Sequence, residues 1–146
     1  MRKNFTYVCS VYLFLIKDNS ILLLRRVNTG YADGYYALPA GHLEGQETAR
    51  EGCVREVKEE IGVDLEIEDL ELVHTMHRKS IKDERVDFFF TTVKYSGEVS
   101  NGEPNKCDDL RWFSLDDLPE NIIDFTGAAI ESYKKGIRYS EFGWDK

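Results

Sequence analysis

Apolar residues gather in short β-branched and aromatic stretches separated by polar turns. Thr6 to Ile16 reads as a strand, Lys17-Asp18-Asn19-Ser20 as a turn and Ile21 to Leu24 as a second strand, so a hairpin opens the chain. Val27 to Gly34 is a polar, glycine-bearing loop, and Tyr35 to Leu38 a short strand stopped by Pro39. Leu70 to His77 and Val86 to Tyr95 predict two more strands, joined across Lys79 to Glu84. Ser96 to Asp109 is a long polar loop with Pro104, and Arg111 to Ser114 the last strand.

The period changes to that of a helix twice, over Thr48 to Ile61 and over Asp124 to Lys135. Glu47-Thr48 supplies an N-cap for the first helix, Gly62 a C′ glycine and Val63 the apolar contact beyond it. At about 100° per residue, Ala49, Cys53, Val57 and Ile61 form one apolar stripe facing the core. Glu51, Arg55 and Lys58 fall on the far side. Glu56, Glu59 and Glu60 border the stripe, at i, i+3 and i+4, where a cleft between helix and body would open. Three carboxylates side by side repel unless a positive charge sits among them, and a divalent, oxygen-seeking cation is the natural one. A solvated acidic face is the plain alternative. The position beside the apolar stripe and the glycine-bearing loop Gly41 to Gln46 argue against it.

Strands on both sides of a central helix, with a second helix at the end, imply α/β layering in a single domain over 1–146. Hydrophobic content of 42% and charged content of 32% are those of a soluble globular chain. A net charge of −8 disfavours nonspecific binding to nucleic acid, but not a nucleotide substrate, because a bound cation reverses the local field. Cys9, Cys53 and Cys107 give an odd count without a CxxC pair, as expected of free thiols in a reducing cytoplasm. Met1-Arg2-Lys3 ahead of Val8 to Ile16 is not read as a secretory leader, because Ser10 interrupts the apolar run and no small-residue cleavage site follows. No stretch reaches the ~20 apolar residues of a membrane helix.

Gly41, Glu47, Arg55, Glu56, Val57, Glu59, Glu60, Gly62 and Val63 fit the pattern G-x5-E-x7-R-E-U-x-E-E-x-G-U, with U aliphatic. On these residues the chain resembles the Nudix hydrolases. Asp33 to Gly41 is similar to that family's G-x-W-x-L-P-G-G lead-in, with Tyr36 in place of Trp and Ala40 in place of Gly. Leu110 to Phe113 with Asp116-Asp117-Leu118-Pro119 is similar to its closing W-F-x-x-x-x-L-P segment, so the resemblance covers about residues 5 to 137.

The resemblance implies a Nudix α/β/α sandwich with a mixed, partly closed β-sheet. It also implies cleavage of a diphosphate linkage with Mg2+ or Mn2+ as cofactor. By position, Glu59 and Glu60 are metal ligands, Glu56 a ligand or partner of the base, and the Gly41 carbonyl a further ligand. Glu47 and Arg55 form an orienting ion pair. Glu103-Pro104-Asn105-Lys106-Cys107 is similar to the E-P-x-K-C loop of some Nudix nucleoside triphosphatases. This makes Glu103 the first choice for a general base or distal ligand and Asp109 the second.

Arg25, Arg26 and His42 are candidate phosphate contacts, against a solvated strand end or a bystander, and Tyr35, Tyr36, Phe88 or Phe89 candidate stacking partners for a base, with core packing the weightier reading for any one ring. Alternation allows only some of these rings to face a pocket. His74 and His77, three apart on a strand, point to opposite faces and make no two-histidine zinc site. A small nucleotide or other diphosphate is the expected partner, without nucleic acid or membrane, and a homodimer is the oligomer the resemblance allows. The downstream markers of the ADP-ribose, diadenosine polyphosphate, NADH and coenzyme A groups are absent, which leans toward a nucleoside triphosphate or a modified one. The alternatives are a catalytically silent nucleotide sensor and a hydrolase of a sugar-linked or non-nucleotide diphosphate.

Overall fold

A computed structural model describes residues 4–145. Met1, Arg2 and Lys3, where a secretory leader was weighed, lie outside them. Strand β1 (Val8–Lys17) and strand β2 (Ser20–Arg26) form the opening hairpin. Asp18 and Asn19 both take left-handed backbone, φ 50° and 61°, the conformation that matches the twist of a two-residue hairpin turn. Short strands β3 (Tyr36–Ala37) and β4 (Ala40–His42) flank Pro39, and helix α1 (Ala49–Ile61) follows. Then come β5 (Glu71–Lys79), β6 (Glu84–Thr92), β7 (Cys107–Ser114), α2 (Asp124–Lys134) and β8 (Tyr139–Phe142).

The sheet is mixed. Its path runs β3-β2-β1-β6-β5-β8, with β7 on β2 and β4 on β1, and it ends at β3 and β8 without closing. β1 runs parallel to β6 over Val8 to Leu15, and β8 parallel to β5. Side chains of β1 alternate between two cores. Val11, Leu13 and Leu15 pack with Cys53, Val57 and Ile61 of α1. Tyr12 and Phe14 pack with Phe125, Ala129 and Ile130 of α2. A helix on each face makes the α/β/α sandwich and explains why β1 reads as a continuous apolar run.

The β1–β2 hairpin splays. β2 pairs with β1 only at Ile16–Ile21 and Lys17–Ser20, while β4 takes the rest of that edge at Ser10 to Tyr12. The far ends of β2 and β4 therefore diverge beneath α1, and the cleft described below opens there. α1 starts on a capping box, Thr48 with Glu51, and stops at Gly62, φ 74°. The segment after β6 straps the helix end: Ser100 N donates to the Ile61 carbonyl and Gly102 N to the Glu60 carbonyl, both at 2.9 Å. The strap passes so close that a Cβ on Gly102 would overlap the Glu59 carbonyl.

Several expectations need correcting. β4 and β8 were not anticipated, β2 continues through Arg26, β6 ends at Thr92, and Cys107 to Asp109 belongs to β7 instead of a loop. Tyr36 and Phe89 are core residues, the plainer of the two readings for these rings, and half-buried Phe88 packs against the α1-side core and does not line the cleft described below. His74 is buried against Ile137 O (2.7 Å) and Ser140 Oγ (2.8 Å), and His77 lies against Trp144. All three cysteines are free, with Cys53 and Cys107 buried. Among the described residues no helix is long and apolar enough to cross a membrane.

Candidate active site

A cleft of about 600 Å³ lies between the C-terminal half of α1 and the ends of β2 and β4. Leu24 and Leu38 contribute its apolar part. Of the residues singled out in the sequence, Arg25, Arg26, Gly41, His42, Glu56, Glu59, Glu60 and Glu103 all line it. They come from β2, β4, α1 and the strap, segments far apart in sequence.

The three helix carboxylates differ in environment. Glu59 keeps a side-chain exposure of 55%, Glu56 only 16%. Glu60 Oε1 accepts from Ala40 N at 2.6 Å, tying the helix to β4. Burial, reinforced by the charges of Glu56 and Glu103, pushes the Glu60 carboxyl up to about 8, against the pull of the Ala40 N–H and Arg26. Burial likewise raises Glu56, opposed by Arg55. Gly41 is required by close approach: a Cβ there would overlap the Glu56 carboxyl.

Arg55 does not lie on the far side of α1 as the wheel placed it. Its side chain sweeps along the helix toward the loop before it. It grips Glu47 with two parallel bonds, Nε–Oε1 3.0 Å and Nη2–Oε2 2.9 Å, and reaches Glu56 Oε1 at 2.6 Å and the His42 carbonyl at 3.2 Å. Glu44 and Glu59 stand at 3.3 and 3.7 Å from its Nη1. One guanidinium thus fixes the loop, the helix and a carboxylate of the cleft, and holds Glu47 below the usual carboxylate range.

Tyr35 and Asp109 do not line the cleft. Tyr35 is exposed at the end of the β2–β3 loop. Asp109 accepts from the Tyr36 hydroxyl and from Arg111 on the opposite face. The cause is a bulge: Arg25 pairs with Asp109 and Arg26 with Cys107, so Asp108 is an extra residue in β7. It inverts the alternation, turning Cys107 toward the α1-side core and Asp109 toward Tyr36. The unpaired Asp108 holds Arg25 at 2.8 Å.

Sequence reasoning missed Asn28, Thr29, Glu44 and Lys106, which also line the cleft, and Arg85. Lys106 stood within the quoted Glu103 to Cys107 loop, but nothing local marked Arg85. Its Nη2 contacts His42 Nε2 at 2.8 Å and Ser10 Oγ at 3.0 Å. Since guanidinium only donates, Nε2 accepts, and the ring keeps its proton on Nδ1. Burial and the Arg85 charge lower the His42 pKa.

Among the described residues no three acidic, histidine or cysteine groups are drawn together into a ready coordination cage. A hard cation that keeps several waters needs only one or two direct carboxylates. The donor set fits such an ion: all-oxygen and on one helix turn, with the Glu60 carboxyl raised by burial and by the charges of Glu56 and Glu103.

The NUDIX domain family matches residues 6–134. An ADP-ribose pyrophosphatase of Methanocaldococcus jannaschii is 33% identical over 108 residues, 74% of this chain and 62% of that protein. A Pseudomonas aeruginosa NAD-capped RNA hydrolase, NudC, is 32% identical over 110 residues, 75% of this chain but 37% of its own length. The crystal structure of a MutT NUDIX hydrolase from Burkholderia pseudomallei superposes with a TM-score of 0.79 at 27% identity, covering 86% of this chain and 97% of that one.

Proposed function

The chain belongs to the Nudix family, and on that premise we propose that it is a metal-dependent pyrophosphohydrolase. Its proposed substrates are nucleoside diphosphate derivatives, foremost a nucleoside triphosphate or a modified one, cut to the monophosphate and pyrophosphate. The observation that carries this reading is the intact row Glu56, Glu59 and Glu60 on the cleft, with Glu60 half-buried between its like-charged neighbours Glu56 and Glu103. A silent sensor would have no use for so costly an arrangement.

Glu59 and Glu60, with Glu56 and the Gly41 carbonyl, would hold Mg2+ or Mn2+. When bound, the ion supplies positive charge to the phosphate oxygens and makes a water acidic enough to attack at neutral pH. The chain's own residues do the rest. Arg55 fixes the Glu56 carboxylate and the Gly41–Glu47 loop. Glu103, on the strap across from Glu60, accepts the proton of the attacking water. His42, with Nε2 occupied by Arg85, presents Nδ1–H as a neutral donor to a phosphate oxygen. Arg25 and Arg26 approach the phosphates from the strand side.

A second reading, ADP-ribose as the substrate, is favoured by the M. jannaschii relative. Nucleoside triphosphates, ADP-ribose and NAD, each incubated with Mg2+ and with Mn2+ and resolved by product chromatography, separate the two. Thermal protection by these compounds without any cleavage would overturn both and favour the sensor.

A further inference from the structure

The two walls of the cleft carry opposite charge. The helix wall presents Glu56, Glu59 and Glu60, with Glu44 and Glu103 at its two ends, and the strand side presents Arg25, Arg26 and Lys106. Arg25 is already paired with Asp108. Arg26 meets only neutral acceptors, the Tyr31 carbonyl at 2.8 Å and Thr29 Oγ1 at 3.0 Å, and among the described residues it has no ion pair. The Lys106 ammonium has no partner among the described residues, in a chain of net charge −8. Two cations thus face a row of glutamates without having closed on them.

Lys106 is exposed, but its backbone is held. Val27 N donates to the Lys106 carbonyl at 2.9 Å, and Lys106 N to the Glu103 carbonyl at 2.8 Å. Asn28 Nδ2 reaches the neighbouring Asn105 carbonyl at 3.2 Å. Arg26 is the cross-strand partner of Cys107, the next residue along. Directly paired strand residues lie about 5 Å apart at Cα. The two cations therefore rise from adjoining positions, and both line the cleft. Arg26 is further steadied by a turn in which Asp33 accepts from Thr29 N, Thr29 Oγ1 and Gly30 N.

We infer that Lys106 is a substrate-binding residue, acting with Arg26 to receive the phosphate group that lies away from α1. This rests on the pyrophosphohydrolase reading for its substrate, but not for its binding measurement. Inorganic pyrophosphate with Mg2+ is titrated calorimetrically into wild type, Lys106→Ala and Lys106→Arg, and KM and kcat are measured on a cleaved nucleotide. Lys106→Ala is expected to weaken pyrophosphate binding and raise KM by about tenfold, with kcat within about twofold and a shallower salt dependence. Lys106→Arg is expected to restore most of the affinity. Unchanged affinity and KM in Lys106→Ala, with melting as in wild type, would overturn the inference, as would a wild type that does not bind pyrophosphate. A wild type that binds pyrophosphate in a Lys106-dependent way but cleaves no nucleotide would overturn the enzyme reading and leave this one standing.

Discussion

Gly41 and Glu56 are packed as only glycine permits, with the Glu56 carboxyl occupying the space a Cβ on residue 41 would need. A loop strand and a helix therefore meet at the one point where a carboxylate must be aimed. Gly41→Ala should push the flexible Glu56 side chain aside and leave the fold. The expected result is a fall in kcat of at least about tenfold, because a displacement near 1 Å suffices for that. Circular dichroism should remain that of wild type. Full activity in this variant would separate Glu56 from the chemistry.

Glu60→Gln keeps the Ala40 contact geometry and removes the charge. Turnover should be lost while folding persists. The pH dependence gives a second reading. Glu60 has its folded-state pKa raised from 4.5 to about 8, so the folded state binds the extra proton. The stability this contributes is full below about 4.5 and is lost as pH rises through about 8. Without added metal, the melting temperature should therefore fall across that window, by about 2–4 °C for each kcal/mol at this size. Mg2+ should offset the fall, and Glu60→Gln should flatten it. A metal-free profile unchanged by Glu60→Gln would show that Glu60 is not the group responsible.

Gly102→Ala tests the strap. Its new methyl would meet the Glu59 carbonyl, which is backbone and cannot step aside, so the strap must lift. Glu103 and Lys106 ride on that strap. A stability cost of about 1–3 kcal/mol and a drop in kcat/KM beyond what the lost stability explains are expected, read by melting and by steady-state kinetics well below the transition.

Away from the cleft, Arg78 Nε meets Asp87 Oδ2 at 2.6 Å with side-chain exposures of 8% and 0%, beneath the Phe125 ring. Asp87→Ala leaves a buried guanidinium unpaired and should cost about 3–5 kcal/mol. Replacing both partners with apolar residues of similar volume should recover much of it. Equal stability of Asp87→Ala and wild type in chemical denaturation would show that the pair is dispensable.

What could be read from the chain was what local chemistry writes into it. Thr48 and Gly62 bound α1 because capping is a property of a few consecutive residues, and the Glu56, Glu59 and Glu60 spacing follows from the helical period. β4 was illegible because Ala40-Gly41-His42 after Pro39 carries no strand preference; it is a strand only because Ser10 to Tyr12 is free to pair with it. β8 exists for the same reason, as an edge beside β5. Within the site, the carboxylates were found by spacing and Arg26 by its place at a strand end. The Arg55–Glu47 pair was expected and is present, although the helical wheel alone put Arg55 on the far side; Asp109 was misplaced because a bulge is decided by tertiary partners.

Asp108, the unmatched residue of β7, sets the phase of that strand. Upstream of it Cys107 points one way; downstream, Leu110 and Trp112 pack against the α1-side core while Phe113 packs against the α2-side core. Deleting this single aspartate would leave Cys107 and Asp109 consecutive, still opposite Arg26 and Arg25, so every side chain would keep its face and only the carboxylate that holds Arg25 would be lost. The extra residue is thus one that the ladder itself could spare, and what it adds is a charge set beside Arg25 at the rim of the cleft.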